Sequence, residues 1–177
     1  MEIKSTAAKI QDNLQELFKA QTIAGDNYIR FQLNQEITAL FQMEQVEESL
    51  IVDAEQITPL PGMPSTTIGM MSTRDRVFCL FDLAQILKLP STLVAPRQYQ
   101  VIVVRLQAEN SPYIGLAVNR LLGMNRLTQE EISSSIGRFS SDLHDFLVGT
   151  TQGGEAIPIL NLPHVIDSLK NQNQLFK

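Results

Sequence analysis

The spacing of apolar residues changes once along the chain, near Gly25. Before that point, from Lys4 to about Gln21, Ala7, Ile10, Leu14, Leu17 and Phe18 recur at intervals of three, four, three and one. That spacing lines them up on one face of a helix. Ser5 or Thr6 can cap its start, and Gly25-Asp26-Asn27 stops it. The pattern predicts an amphipathic helix of about four turns, whose apolar stripe either packs on its own domain or docks on a partner.

Beyond Gly25 the spacing becomes that of strands. Tyr28, Arg30 and Gln32 alternate with Ile29, Phe31 and Leu33, Asn34-Gln35-Glu36 turns, and Ile37 to Phe41 resumes extended chain. Val101 to Leu106 is an almost continuous apolar run, Gln107 to Pro112 its turn, and Tyr113 to Val118 the return. Both read as β-hairpins.

An internal pseudo-repeat organises these elements. Phe78-Cys79-Leu80-Phe81-Asp82-Leu83-Ala84-Gln85-Ile86-Leu87 returns as Ile157-Pro158-Ile159-Leu160-Asn161-Leu162-Pro163-His164-Val165-Ile166, and Ile68-Gly69 upstream of the first copy answers Val148-Gly149 upstream of the second. Each copy is an apolar strand, a polar cap residue and a short helical run. The halves span about 26–90 and 99–170 within a domain of 26–170, with 1–25 as a helical extension and 171–177 as a tail. Leu89 to Pro96 reads as the connector, because its prolines and hydroxyl residues break any period. Strands of about five residues suggest one small closed sheet per half. Each would be marginal alone, so the two should share apolar surface, with a binding groove at their seam. Leu80, Leu116 and Ile159 are expected to face inward.

Candidate chemistry is sparse. Three prolines between Ile57 and Pro64 make a stiff loop. Arg74-Asp75-Arg76 forms a polar tip between apolar runs, either a solvated turn or an arginine offered to a partner. Glu44, Glu47, Glu48, Asp53 and Glu55 make an acidic stretch that reads as a solvated face. Asp82 and Asn161 end equivalent strands and begin equivalent helices, which suits N-capping better than catalysis. Cys79 lies inside a strand and reads as a small core side chain. There is no GxxxxGK[ST] phosphate loop, no HExxH and no nucleophile elbow, so binding is favoured over catalysis.

Composition narrows this further. The 177 residues carry 14 basic and 19 acidic side chains, a formal net charge of -5. With no basic run, nucleic acid is a poor partner. One cysteine excludes an internal disulfide, and two histidines leave little material for a metal centre. No apolar run is long enough to span a membrane, and Met-Glu-Ile-Lys lacks an apolar signal core, which predicts a cytoplasmic protein without a cofactor.

Separated segments along both halves resemble the CheW-like domain family in order and spacing. Tyr28 to Leu33, Ile57 to Gly62, Ile68 to Arg74 and Val77 to Leu83 resemble its first half. Val101 to Leu106 with Ile114 to Val118, and Phe146 to Leu162, resemble its second. The resemblance implies a mainly β fold of two small five-stranded SH3-like β-barrels, here with an extra N-terminal helix and short helices after the strands. It also implies a non-catalytic adaptor that couples a chemoreceptor to a CheA-type histidine kinase, whose regulatory domain has the same fold. In this family kinase and adaptor pair barrel against barrel, and the receptor's tip helices lie against the adaptor. The family's Asn-Leu-Arg-Gly tetrad falls on Ser72-Thr73-Arg74-Asp75, where only the arginine is kept. Its Val and Glu at the end of the second strand fall on Val46 and Glu48, with about one extra residue before them, and its Val-Asp after the second hairpin is Val118-Asn119. Arg74, Val46 and Glu48 are thereby the implied partner-binding residues. The changed tetrad and the N-terminal helix suggest a divergent adaptor, in chemotaxis or in type IV pilus motility and phototaxis. A sensory or ligand-binding module, or a small enzyme on the same scaffold, are the other classes.

Overall fold

The computed structural model describes residues 24–105 and 110–172; the expected N-terminal helix lies outside them. In chain order the elements are β1 (Asp26–Gln32), β2 (Thr38–Gln42), β3 (Val46–Asp53), β4 (Thr67–Ser72), β5 (Val77–Asp82), α1 (Leu83–Ile86), β6 (Gln98–Val104), β7 (Ile114–Val118), β8 (Arg120–Leu127), β9 (Ile132–Ser133), α2 (Ser141–His144), β10 (Leu147–Thr151), β11 (Pro158–Leu160) and α3 (Leu162–Gln172). Both hairpins form. β1 pairs antiparallel with β2, and β6 with β7. The first turn is made by Asn34, whose Oδ1 accepts from the backbone N–H of Glu36 at 3.0 Å and of Ile37 at 2.9 Å.

The pseudo-repeat is real in three dimensions, but the expected arrangement of one sheet per half is not. One sheet has six strands in the order β8-β1-β2-β11-β10-β9, and the other has five in the order β3-β6-β7-β5-β4. Each half's hairpin is flanked on both sides by strands of the other half, and its inner strand pairs in parallel with that half's repeat strand: β2 with β11, β7 with β5. Periodicity states which face of a strand is buried, not which strand lies beside it, so this exchange had no local signal. The five-stranded sheet is the continuous stretch from Val46 to Val118, inserted between the two ends that build the other.

The expected pair of closed five-stranded SH3-like barrels is corrected as well. The sheets have six and five strands, and among the described residues neither ladder closes: β8 and β9 end one, β3 and β4 the other. One face of each instead covers a small cluster drawn from both of its sides. In the five-stranded sheet this joins Val52 of β3 and Met71 of β4 to Leu80, Val101 and Val103. In the six-stranded sheet it joins Leu127 of β8 and Ile159 of β11 to Tyr28 and Leu40.

The opposite faces meet in the largest cluster. Ile29, Phe31 and Phe41 come from one sheet and Phe81, Ile102 and Leu116 from the other, with α1 and α3 adding Leu83, Ile86, Val165, Ile166 and Leu169. The Phe31 and Phe41 rings lie 5.2 Å apart, centroid to centroid. Leu80, Leu116 and Ile159 are all buried, as their spacing requires. Both repeat strands end in a capped helix start. Asp82 accepts from Gln85 N–H at 3.3 Å, and Asn161 Oδ1 from His164 N–H at 3.3 Å. Asp82, itself buried, also accepts from Ser91 Oγ, which pins the connector to the end of β5.

The two repeat glycines have one job. Register shifts occur between Thr67 and Gly69 and between Leu147 and Gly149. A Cβ on Gly69 would stand 2.6 Å from Thr58 O, and one on Gly149 would stand 2.6 Å from Ser133 O. Backbone passes too close for any side chain at these bulges. Gly69→Ala and Gly149→Ala should each lower unfolding free energy by about 1–3 kcal/mol through overpacking. Gly137→Ala, where a Cβ meets nothing within 4 Å, should change it by less than about 0.5 kcal/mol. Urea denaturation of the three variants checks this; equal losses at all three would refute the close-approach account.

Candidate functional site: the seam between the sheets

Val46 and Glu48 open β3, the outer strand of its sheet. Val46 lies opposite Val104 and Glu48 opposite Val103, so Glu47 is the extra residue of a bulge. Val46 is half-buried and packs on the central core. Across the seam stands β8, the outer strand of the other sheet. Ile29, Met43, Val46, Leu121 and Met124 line a cleft of about 300 Å³ between them, with Glu48 on its wall. The structure therefore brings two of the three implied partner-binding residues to one cleft. Met43, Leu121 and Met124 were missed, because nothing local says that β8 returns beside β1.

Glu48 is held from the far side. Arg76 Nη1 donates to Glu48 Oε1 at 3.3 Å, and Arg76 Nη2 to Asp75 Oδ2 at 3.4 Å. The Arg76 guanidinium lies 4.3 Å from the centroid of the Tyr113 ring. Arg105 comes to 5.0 Å from the same ring, donates to the Tyr113 hydroxyl at 3.3 Å, and stands 3.6 Å from Glu47. Arginine suits such stacking because its planar, delocalised charge is weakly hydrated. Strand register gathers these groups at one end of the sheet. Ile114 is level with Val104 and with Cys79, so Tyr113, Arg105 and Arg76 lie one to three residues beyond. Arg105 and Tyr113 were not singled out from sequence, and Arg76 was named only as part of the polar tip.

Arg74 lies apart from the cleft, on the β4–β5 turn, exposed and without an ion pair among the described residues. The turn closes with Thr73 N–H donating to Arg76 O at 2.8 Å. Thr73 Oγ1 also donates to Arg76 O at 3.3 Å, so a hydroxyl braces the turn. Asp75 is not among the non-glycine residues with positive φ, so the tip holds an aspartate without left-handed backbone. The hydrogen bond from Arg76 holds the Asp75 carboxyl below its usual range. Arg74 is thus the free arginine of the tip and Arg76 the engaged one.

The remaining chemistry is structural. Burial pushes the Cys79 thiol up, which disfavours the reactive thiolate. His144 Nε2 donates to Phe139 O at 2.7 Å and His164 Nδ1 to Asp145 O at 2.9 Å. Among the described residues, no group of three or more His, Cys, Asp or Glu side chains could hold a metal ion. None of the helices there is long and apolar enough to cross a membrane.

Two interleaved sheets enclose an apolar seam cleft with a charged rim, a mainly β fold with few short helices. The family model of the CheW-like domain matches residues 27–170, and the chain belongs to that family. No curated protein matches it. Among solved structures, the scaffolding protein TtCheW from Thermoanaerobacter tengcongensis shares its fold. That chain is 16% identical, with a TM-score of 0.64 over 77% of this chain and 89% of the other.

The rim makes a prediction about salt. Arg76→Ala should lower the melting temperature by about 1–3 °C, and most of that loss should persist at about 1 M salt, because stacking on Tyr113 is screened less than an ion pair. Glu48→Gln should cost less, and its effect should vanish at that salt. Thermal melts at two ionic strengths check both; an Arg76→Ala effect that disappears in salt would reduce the stack to a surface ion pair.

Proposed function

We propose that the protein is a non-catalytic adaptor that couples a methyl-accepting chemoreceptor to a CheA-type histidine kinase in the cytoplasm. The observation that carries this is the family match over 27–170. The seam cleft supports it, because Val46 and Glu48 meet there beside the apolar Ile29, Met43, Leu121 and Met124, a lining that suits the apolar face of a helix. In this reading the receptor's cytoplasmic tip helix lays apolar residues along the cleft, with Glu48 setting its register. The kinase's regulatory domain pairs with the β4–β5 end of the five-stranded sheet, where Arg74 reaches a carboxylate or backbone carbonyl. No cofactor is needed for either contact. The pathway is a motility pathway, either chemotaxis or the type IV pilus systems of phototaxis and twitching.

Arg74 supplies the test. Its planar fork holds two acceptors at once, and truncating an interface arginine typically costs about 2 kcal/mol, or about 30-fold in affinity. Arg74→Ala should therefore weaken binding to the regulatory domain of a CheA-type kinase from the same genome by about that factor, and Arg74→Lys should recover it only in part. Folding stability should move by less than about 0.5 kcal/mol, since the side chain is exposed. Calorimetric titration and a melt of each variant decide it. Wild-type affinity in Arg74→Ala would remove this residue from the kinase contact, and no binding by the wild type would remove the adaptor reading.

A further inference from the structure

The two copies of the pseudo-repeat differ at one equivalent place, beside the polar residue that caps each helix. In the first copy that residue is Asp82, level with Ala117, which in turn pairs with Val101. Both of these apolar neighbours are wholly buried. The chain itself covers the place: the connector returns after α1, and Ser91 Oγ donates to Asp82. Ile68, the bulge residue upstream, packs on the small cluster of its sheet. In the second copy the cap is Asn161. Leu40 pairs with Ile159, so two residues on Asn161 stands by Gln42, which pairs with Tyr28. Here α3 runs on for 11 residues, and among the described residues the Asn161 side chain bonds only the N–H of His164. Val148, the bulge residue equivalent to Ile68, is 54% exposed.

The second copy therefore has a pocket of about 290 Å³ where the first is closed. Tyr28, 5% exposed, forms part of its wall, with its ring in the small cluster beside Leu40 and Ile159. Among the described residues nothing bonds its hydroxyl, and the side-chain amides of Gln42 and Gln45 in the same wall are likewise unbonded. A buried polar group without a partner is destabilising. The fold does not require one here, because Val101 and Ala117 close the equivalent place with hydrocarbon. The lining also selects a ligand. None of its side chains is charged. The Tyr28 hydroxyl keeps its proton and donates, since burial, then the carboxylates of Asp26 and Glu44, push it up from its ordinary value. Those carboxylates disfavour an anion. The two glutamine amides both donate and accept. Uncharged donors and acceptors beside Val148, Ile159 and Pro163 match an amide that carries a hydrocarbon side chain.

We propose that this pocket is a binding site separate from the seam cleft, taking one uncharged residue of a peptide segment of a partner protein. The segment's backbone amide meets Tyr28, Gln42 and Gln45, and its apolar side chain lies against Val148 and Ile159. A peptide is the occupant because the first copy already solves the equivalent place with chain, the connector segment held on Asp82. Tyr28 lies on the opposite face of β1 from Ile29 of the seam cleft, and the inference does not rest on the adaptor reading.

The experiment uses the full chain and small probes. The sequence has three tyrosines, so fluorotyrosine labelling gives one fluorine signal in the pocket, and Tyr99 and Tyr113 serve as controls. Leucine capped as N-acetyl-leucine N-methylamide should move the Tyr28 signal saturably, at millimolar concentration, and leave the other two in place. N-acetyl-leucine, a carboxylate, and the equally capped glycine, which has no side chain, should each bind several-fold more weakly. A capped Ala-Leu-Ala tripeptide should bind several-fold more tightly. In Tyr28→Phe, read through the methyl signals of Ile159, the capped leucine should bind several-fold more weakly while the melting temperature holds or rises, because the hydroxyl bonds nothing within the fold. Gln45→Ala should weaken binding as well. No saturable movement up to the solubility limit of the probe would overturn the proposal, as would movement of all three fluorine signals together. Unchanged affinity or a lowered melting temperature in Tyr28→Phe would remove the hydroxyl as a ligand donor and overturn it too. Equal binding of the carboxylate would overturn the uncharged amide, and a tripeptide no tighter than the single residue would overturn the peptide as occupant.

Discussion

Both hairpins are buried on their two faces, and the remaining architecture follows from that constraint. Every residue of Ile114–Val118 is buried, as is Val101 to Val104. One set of alternate side chains enters the small cluster of its own sheet, and the other set enters the shared core. A two-stranded ribbon with no solvent face cannot stand alone. Its backbone edges must be paired and both surfaces covered. The interleaved chain does this by enclosing each hairpin between strands of the other half. The opposite faces of the two sheets share the largest apolar cluster, so the seam between them is a packed geometry rather than a hinge between two domains.

That packed seam is what turns two edges into a site. β3 and β8 end their ladders at the same place, one from each sheet, with Val46 and Met124 in the gap. An exposed edge normally invites unwanted pairing. Here the start of β3 is bulged and carries glutamates, and β8 has a register shift and Gly123 in the left-handed region. These features discourage a third strand while leaving an apolar trough that a helix can enter. The charges are set back at the rim, where Arg76, stacked on Tyr113, holds Glu48. A carboxylate fixed in this way loses less conformational entropy on binding than a free one.

What was legible in the sequence follows from which physical effects are local. Period-two alternation located the first hairpin, and continuous apolar runs located the second hairpin and the repeat strands that hold Leu80 and Ile159. The repeat exposed the capped strand–helix units and their glycines. Val46 and Glu48 came from family position, and the structure brings them to one cleft. Pairing partners are not local. The exchange of strands between halves, the open ladders of six and five strands, and the return of Leu121 and Met124 beside Ile29 depend on contacts far apart in sequence. Nor does sequence order distinguish Arg74 from Arg76. The two are separated only by the neighbours that folding gives the second, Tyr113 and Glu48.

The division of labour between those two arginines shows how the tip engages one of them and leaves the other outward. An aspartate in place of a turn glycine would cost conformational freedom if the backbone needed positive φ, but Asp75 does not adopt it. Its carboxylate instead bonds the following arginine, and Thr73 braces the turn. Arg76 is thereby drawn inward onto Tyr113, and Arg74 is left outward with no intramolecular partner among the described residues to compete for its charge. A surface arginine that already had a carboxylate would have to exchange it for a partner's, with little net gain. An unengaged one, on a turn rigidified from below, gives up less on association. The substitutions that remove the family's motif around Arg74 thus preserve the physical condition under which that one side chain is useful.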